Sequence, residues 1–150
     1  MKKKIFIVCA LFLAAFSVLM SCDGQPEEKK GYPDNLGHIN VKKVEKILII
    51  STSDSGEGVI TDRDTIKEIS EKAQALSFEL DLGAAMNMSE KYIVKFMDGD
   101  KALHTLELDS DGVFWYDDTP GCYRLSEGEM EYDYIDELFK ANYKEPDTNL

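Results

Sequence analysis

Cys122 and His104 are the pair in this chain whose side chains suit nucleophilic chemistry. Three cysteines and two histidines occur in 150 residues, and Cys9 and Cys22 lie in the N-terminal stretch. A thiol becomes a nucleophile when a base within hydrogen-bond reach draws off its proton. Cys122 and His104 fall on different expected strands, which a sheet can bring together. The residues around Cys122 (PGCYR) match no cysteine-hydrolase signature. A buried, inert thiol is therefore the simpler expectation, and a hydrolase or thiol enzyme the alternative.

Carboxylates are the next source of chemistry. Asp109-Ser110-Asp111-Gly112 and Asp117-Asp118 lie close in sequence, and calcium takes several oxygens from one loop. The helix-loop-helix calcium pattern needs glycine sixth and a glutamate twelfth. Here glycine is fourth and the twelfth position is Pro120, so the pattern fails and a turn is expected. Asp62 and Asp64, and Glu127, Glu129 and Glu131, resemble paired hydrolytic acids in spacing. They stand at expected helix starts, where acids offset the macrodipole. No phosphate-binding loop, dinucleotide fingerprint, HExxH or GxSxG occurs. No metal and no cofactor is expected.

The aromatic residues offer binding in place of catalysis. Phe114-Trp115-Tyr116 is followed by Tyr123, Tyr132, Tyr134 and Tyr143. On a strand, Trp115 faces opposite to Phe114 and Tyr116. Trp115, Tyr116 and Tyr123 are the candidate binding residues, as aromatics rimmed by acids suited to a partner protein or a sugar. Completion of the core against the last helix is the commoner use of such rings.

The N-terminus determines where this chemistry would operate. Lys2, Lys3 and Lys4 precede Ile5–Met20, which carries no charge. A basic head before a short apolar run is the secretory-signal pattern. The run falls short of the ~20 residues a spanning helix takes. Leu19-Met20-Ser21-Cys22 resembles the lipobox of bacterial lipoproteins. That resemblance implies diacylglycerol on the Cys22 thiol, cleavage before Cys22 and acylation of the new amine by a palmitate-type chain. Several chains at ~0.8 kcal/mol per buried methylene would anchor the protein stably. Residues 1–21 are thus expected to be a lipoprotein signal peptide. The remainder is expected to be lipid-anchored in the cell envelope, facing the periplasm or the extracellular side.

Loss of the three signal lysines takes the net charge from −12 to −15. Such a chain lacks the basic footprint nucleic acid requires, and anionic lipid repels it. It suits cationic partners. With Cys9 removed and Cys22 acylated, Cys122 has no disulfide partner, so the fold must rest on its core.

Asp23 to Asn40 is polar, with prolines and glycines and no periodicity, so residues 22–40 are expected to be a flexible tether. A domain is expected over 41–145 and a tail over 146–150. Val44–Ser51 reads as a buried strand and Val59-Ile60 as a short paired one. Thr61 or Asp62 caps a helix whose Ile66, Ile69, Ala73 and Leu76 form one stripe. Leu76, Phe78, Leu80 and Leu82 then alternate as an extended segment, and Gly83–Glu90 is a loop. Lys91–Met97 and Ala102–Leu108 form a hairpin around Asp98-Gly99, a type I′ signal. Val113–Tyr116 and Cys122–Leu125 follow. Ser126-x-x-Glu129 reads as a capping box opening a last helix with Met130, Tyr134, Ile135, Leu138 and Phe139 on its apolar face. The fold class is α+β: one small domain, an antiparallel meander sheet with two helices packed on one face.

The stretches KILIIS, TDRDTIKEI and YIVKFMDGD, with Cys122 to Leu138, resemble small lipoprotein domains of the YhfM-like kind over about Val41 to Phe139. The resemblance implies the fold and the anchor, and no activity. The function expected is a non-catalytic interaction or accessory module with an acidic surface. Its partner would be a basic envelope protein. The alternatives are an envelope hydrolase or thiol enzyme using Cys122 and His104, and a glycan- or peptide-binding lipoprotein.

Overall fold

The computed structural model describes residues 34–145. The expected signal peptide, Cys22 and the tail from residue 146 lie outside the described residues. In chain order the elements are β1 (Lys46–Ser51), β2 (Glu57–Ile60), α1 (Arg63–Gln74), β3 (Ser77–Leu80), β4 (Lys91–Asp98), β5 (Lys101–Asp109), β6 (Phe114–Tyr116), β7 (Tyr123–Glu127), α2 (Tyr132–Asn142) and β8 (Tyr143–Lys144). The strands make one 8-stranded sheet in the order β3-β7-β6-β5-β4-β1-β2-β8, every pair antiparallel. With two helices beside it, this is the α+β architecture expected.

Period-two alternation places the core. Ile47 faces Phe96, Ile49 faces Val94, and Val94 in turn faces Leu106. All five are 0% exposed. Leu48, Ile50, Ile93, Thr105 and Trp115 point the other way and are half-buried. Both helices bury their stripes in the first face, Ile66, Ile69 and Ala73 from α1, Ile135 and Phe139 from α2. Gly58 on β2 admits α2 closely, because a Cβ there would meet the Phe139 Cα at 3.3 Å.

The α1 start forms as the sequence dictates. Asp62 is its N-cap, accepting from the Thr65 amide at 2.9 Å and the Thr65 hydroxyl at 2.7 Å. The α2 start does not. Ser126 lies in β7, not in a capping box, and α2 begins six residues later behind Glu131, whose side chain makes no capping bond. Gly128 explains the difference. Its φ of +93° breaks the chain direction, and it packs so tightly that a Cβ would sit 2.8 Å from the Ala75 carbonyl.

The domain also starts earlier than expected. Leu36 is 4% and Ile39 0% exposed, so the segment assigned to a tether up to Asn40 contributes to the core. It runs antiparallel to α1. The Phe78 amide donates to the Asp34 carbonyl at 2.7 Å, Gln74 Nε2 to the Ile39 carbonyl at 2.7 Å, and Arg63 Nη1 to the Val44 carbonyl at 2.6 Å. Residues 34–44 thus form a strap beside α1. The β4–β5 turn differs in detail as well. Asp98 pairs with Lys101, so Gly99 and Asp100 are the central residues, and of the two only Gly99 has positive φ. That is the type II′ pattern, not type I′. The extended segment after Leu76 ends at Leu80, and Leu82 is 90% exposed.

Candidate functional site

The sheet face that no helix covers carries a groove of about 550 Å³. Strands β4, β5 and β6 supply its floor, because Ile93, Glu107 and Trp115 are successive neighbours across the three strands. Alternation sends all three side chains to the same face. Lys95 sits two residues from Ile93 on that face, and the β6–β7 turn supplies Asp117 and Asp118 at one end.

Trp115 is half-buried and fixed in place. Its Nε1 donates to the Thr119 carbonyl at 2.6 Å. Thr119 in turn donates its hydroxyl to the Tyr116 carbonyl at 2.6 Å. The turn between them is unusual, since Asp117 and Asp118 hold φ of 41° and 55°. Aspartate tolerates the left-handed region better than most residues. Asp117 secures that geometry with both oxygens: Oδ1 accepts from the Thr105 amide at 2.6 Å and Oδ2 meets His104 Nδ1 at 2.6 Å. His104 therefore clamps the turn that holds the indole.

Charge in the groove is only partly compensated. The Glu107 carboxylate accepts from the Lys91 ammonium, and both side chains are largely buried. A buried pair of this kind is costly to break, because removing one partner strands the other charge. Asp117 is engaged with His104. The side chains of Lys95 and Asp118 have no hydrogen bond or ion pair among the described residues. One unpaired ammonium and one unpaired carboxylate thus line a groove with an indole in its wall.

Tyr116 and Tyr123 do not join Trp115 there. Each is 1% exposed. Tyr116 stacks on Phe78 with ring centroids 4.6 Å apart and lies 5.0 Å from Tyr123. Burial, more than any neighbouring charge, pushes the Tyr116 hydroxyl up to about 12. Of the three candidate binding residues, these two complete the core and Trp115 alone reaches the surface.

Cys122 and His104 are not brought together. Tyr123 faces Phe114 and Phe114 faces Leu108, so Cys122 falls in the row of Glu107. His104 is three residues along β5 and Cys122 two strands across, a separation on the order of 14 Å at ordinary sheet spacings. The His104 Nδ1 that would serve as base is on Asp117 instead. Cys122 is a half-buried free thiol.

One of the candidate acids is structural. Asp109, 0% exposed, accepts from the amides of Asn87 at 2.6 Å, Asp111 at 3.0 Å and Val113 at 2.8 Å. It pins the β5–β6 turn to the β3–β4 loop. A second depression of about 660 Å³ lies between that turn and the start of α2. Its one guanidinium, Arg124, is spent on Asp81 and on the Asp111 carbonyl, and its floor is core: Leu108, Phe114 and Met130. Asp111, Glu131 and Asp133 line it with carboxylates that have no partner among the described residues, but it offers neither an unpaired cation nor an indole.

The His104–Asp117 clamp, the buried Asp109 and the Lys91–Glu107 pair were not foreseeable individually. Only Asp109 left a signal, as an aspartate opening a D-x-D-G turn, where side-chain-to-amide bonds are common. No protein-family model, curated protein or solved structure matches the chain. Function has to be read from the chemistry of the groove.

Proposed function

We propose that this protein is a lipid-anchored, non-catalytic binding module of the cell envelope, of the YhfM-like lipoprotein kind, held by Cys22 and facing the periplasm or the extracellular side. Its groove takes a short segment of a basic partner protein. The observation that carries this reading is the pairing of Trp115, oriented by the Thr119 carbonyl, with an unpaired Asp118 carboxylate at the same groove. A lysine or arginine side chain over the indole would gain a cation–π contact, and Asp118 would supply the counter-charge. Lys95 is placed to meet a carbonyl of the same segment. The net charge of −15 left after loss of the three signal lysines steers a cationic partner toward the domain. The separation of Cys122 from His104 supports a non-catalytic reading.

Trp115 is the single tryptophan of the chain, so its emission reports on this groove alone. Titration with short peptides bearing lysine or arginine should change that emission, and added salt should weaken the response. Emission that ignores every basic peptide would end the reading. A response to neutral oligosaccharides that salt leaves unchanged would transfer the groove to a glycan.

A further inference from the structure

Among the described residues, three large hydrophobic side chains are exposed, and two of them, Leu82 at 90% and Met88 at 65%, share the β3–β4 loop. From Leu82 to Ser89 that loop carries no charge, in a chain of which 31% is charged. Ala85, midway between the two, is exposed as well. A lone exposed leucine is ordinary. A neutral loop offering Leu82, Ala85 and Met88 from a strongly acidic domain is not.

The loop is held in shape. Asp81 accepts from the Gly83 amide at 3.0 Å, and the buried Asp109 accepts from Asn87 at 2.6 Å. Leu82 and Met88 are therefore presented from a braced backbone. The second observation concerns where the chain enters the domain. The Asp34 carbonyl accepts from Phe78 in β3, and Leu82 follows Phe78 by four residues, roughly 13 Å of extended chain. Residues 23–33 separate Cys22 from Asp34. Whatever path they take, they span at most roughly 40 Å. An acyl group on Cys22 would keep the β3 end of the domain within roughly 40 Å of the bilayer.

We propose that Leu82 and Met88 dip into the interfacial layer of the bilayer that holds the anchor, so that the domain has a fixed membrane-facing side. This rests on the lipoprotein reading above. Once tethered, the second contact is intramolecular, at an effective concentration on the order of mM, so weak insertion suffices. Asp81 and Glu90 flank the loop, so a zwitterionic surface suits it and an anionic one does not.

The test uses the acylated chain in phosphatidylcholine–phosphatidylethanolamine vesicles. An environment-sensitive dye is placed on Leu82→Cys, with Cys122→Ser to remove the competing thiol. The control site is Asp100→Cys in the β4–β5 turn, at the other end of β4 and roughly 26 Å along the strand. The Leu82 dye should shift to the blue and lose roughly half its emission to doxyl-labelled lipid, as groups ~5–10 Å into the boundary do. The control dye should do neither. A Leu82 dye that stays in water, or equal quenching at both sites, overturns the proposal. A parallel arm carries residues 23–150, which lack the Cys22 thiol, on nickel-chelating lipid through a polyhistidine tag before residue 23. It decides the loop even if mass analysis finds no acyl group on Cys22, a result that would sink only the anchoring reading.

Discussion

The Tyr92 hydroxyl donates to Asp136 Oδ1 across 2.7 Å, tying the middle of the sheet to α2. Asp136 Oδ2 accepts from Lys140 at 2.6 Å. The carboxyl is held below its usual 3.8, first by the Lys140 ammonium and next by Tyr92. Burial, then Asp136, pushes the Tyr92 hydroxyl up. A carboxyl lowered on folding contributes stability that is present in full above its unfolded value and lost as pH falls through the folded value. Asp136→Asn should therefore lower the melting temperature near neutral pH, and the difference should fade as pH drops below 3.8. A difference that persists well below that pH would sink the account. Tyr92→Phe should cost about 1 kcal/mol in urea unfolding.

Trp115→Ala should abolish the response to basic peptides while the domain stays folded. The lost Nε1 bond to Thr119 and the half-buried ring predict a stability cost of about 1–3 kcal/mol. Circular dichroism checks the fold, and calorimetric titration checks the binding. Retained affinity in a folded Trp115→Ala protein would remove the groove from consideration.

Gly128→Ala should be far more damaging than an exposed glycine suggests. It places a Cβ against the Ala75 carbonyl at a φ of +93°. A loss of about 1–3 kcal/mol is expected from strain of this kind. Gly99→Ala, with no neighbour within 4 Å but also at positive φ, isolates the backbone cost from the clash. Thermal unfolding of the two variants separates them.

Ile39→Ala tests the strap. A fully buried isoleucine cut to alanine costs about 2–5 kcal/mol. If residues 34–40 belonged to a tether, the same change would be silent in a urea titration.

Cys22→Ser should move the protein from the membrane fraction to the soluble fraction of cells and abolish incorporation of an alkyne-bearing palmitate. Unchanged membrane association would refute the anchor. Cys122→Ser should alter neither localisation nor peptide response, since that thiol neighbours Trp115 across the strands but does not line the groove.

Local rules were enough for the strands from Lys46 to Tyr116 and for α1. Their signals are short-range: alternating apolar residues, a Thr-Asp cap, a glycine turn. The same rules failed at Ser126, where a capping pattern was overridden by β3–β7 pairing and by the tight passage at Gly128. They failed at Leu36 and Ile39 because two apolar residues in a polar stretch show no period, and only contact with α1 gives them a burial partner. In the candidate site, Trp115 was legible and its role partly so. Tyr116 and Tyr123 could not be separated from it by residue type, because strand register alone decides which aromatic faces the helices.

The order of residues alone is sufficient for the acidity, the lipobox-like Leu19–Cys22, the α+β class and the mismatch of Asp109–Pro120 with the helix-loop-helix calcium pattern. These depend on composition and on neighbours in the chain. Folding alone decided that Cys122 and His104 stay apart, that Asp117 holds His104, and that Lys95 and Asp118 are left unpaired beside an indole. Each of those facts is a distance between residues far apart in sequence. Such distances are set by which strands pair and in what register, through the burial of one face against two helices and a strap.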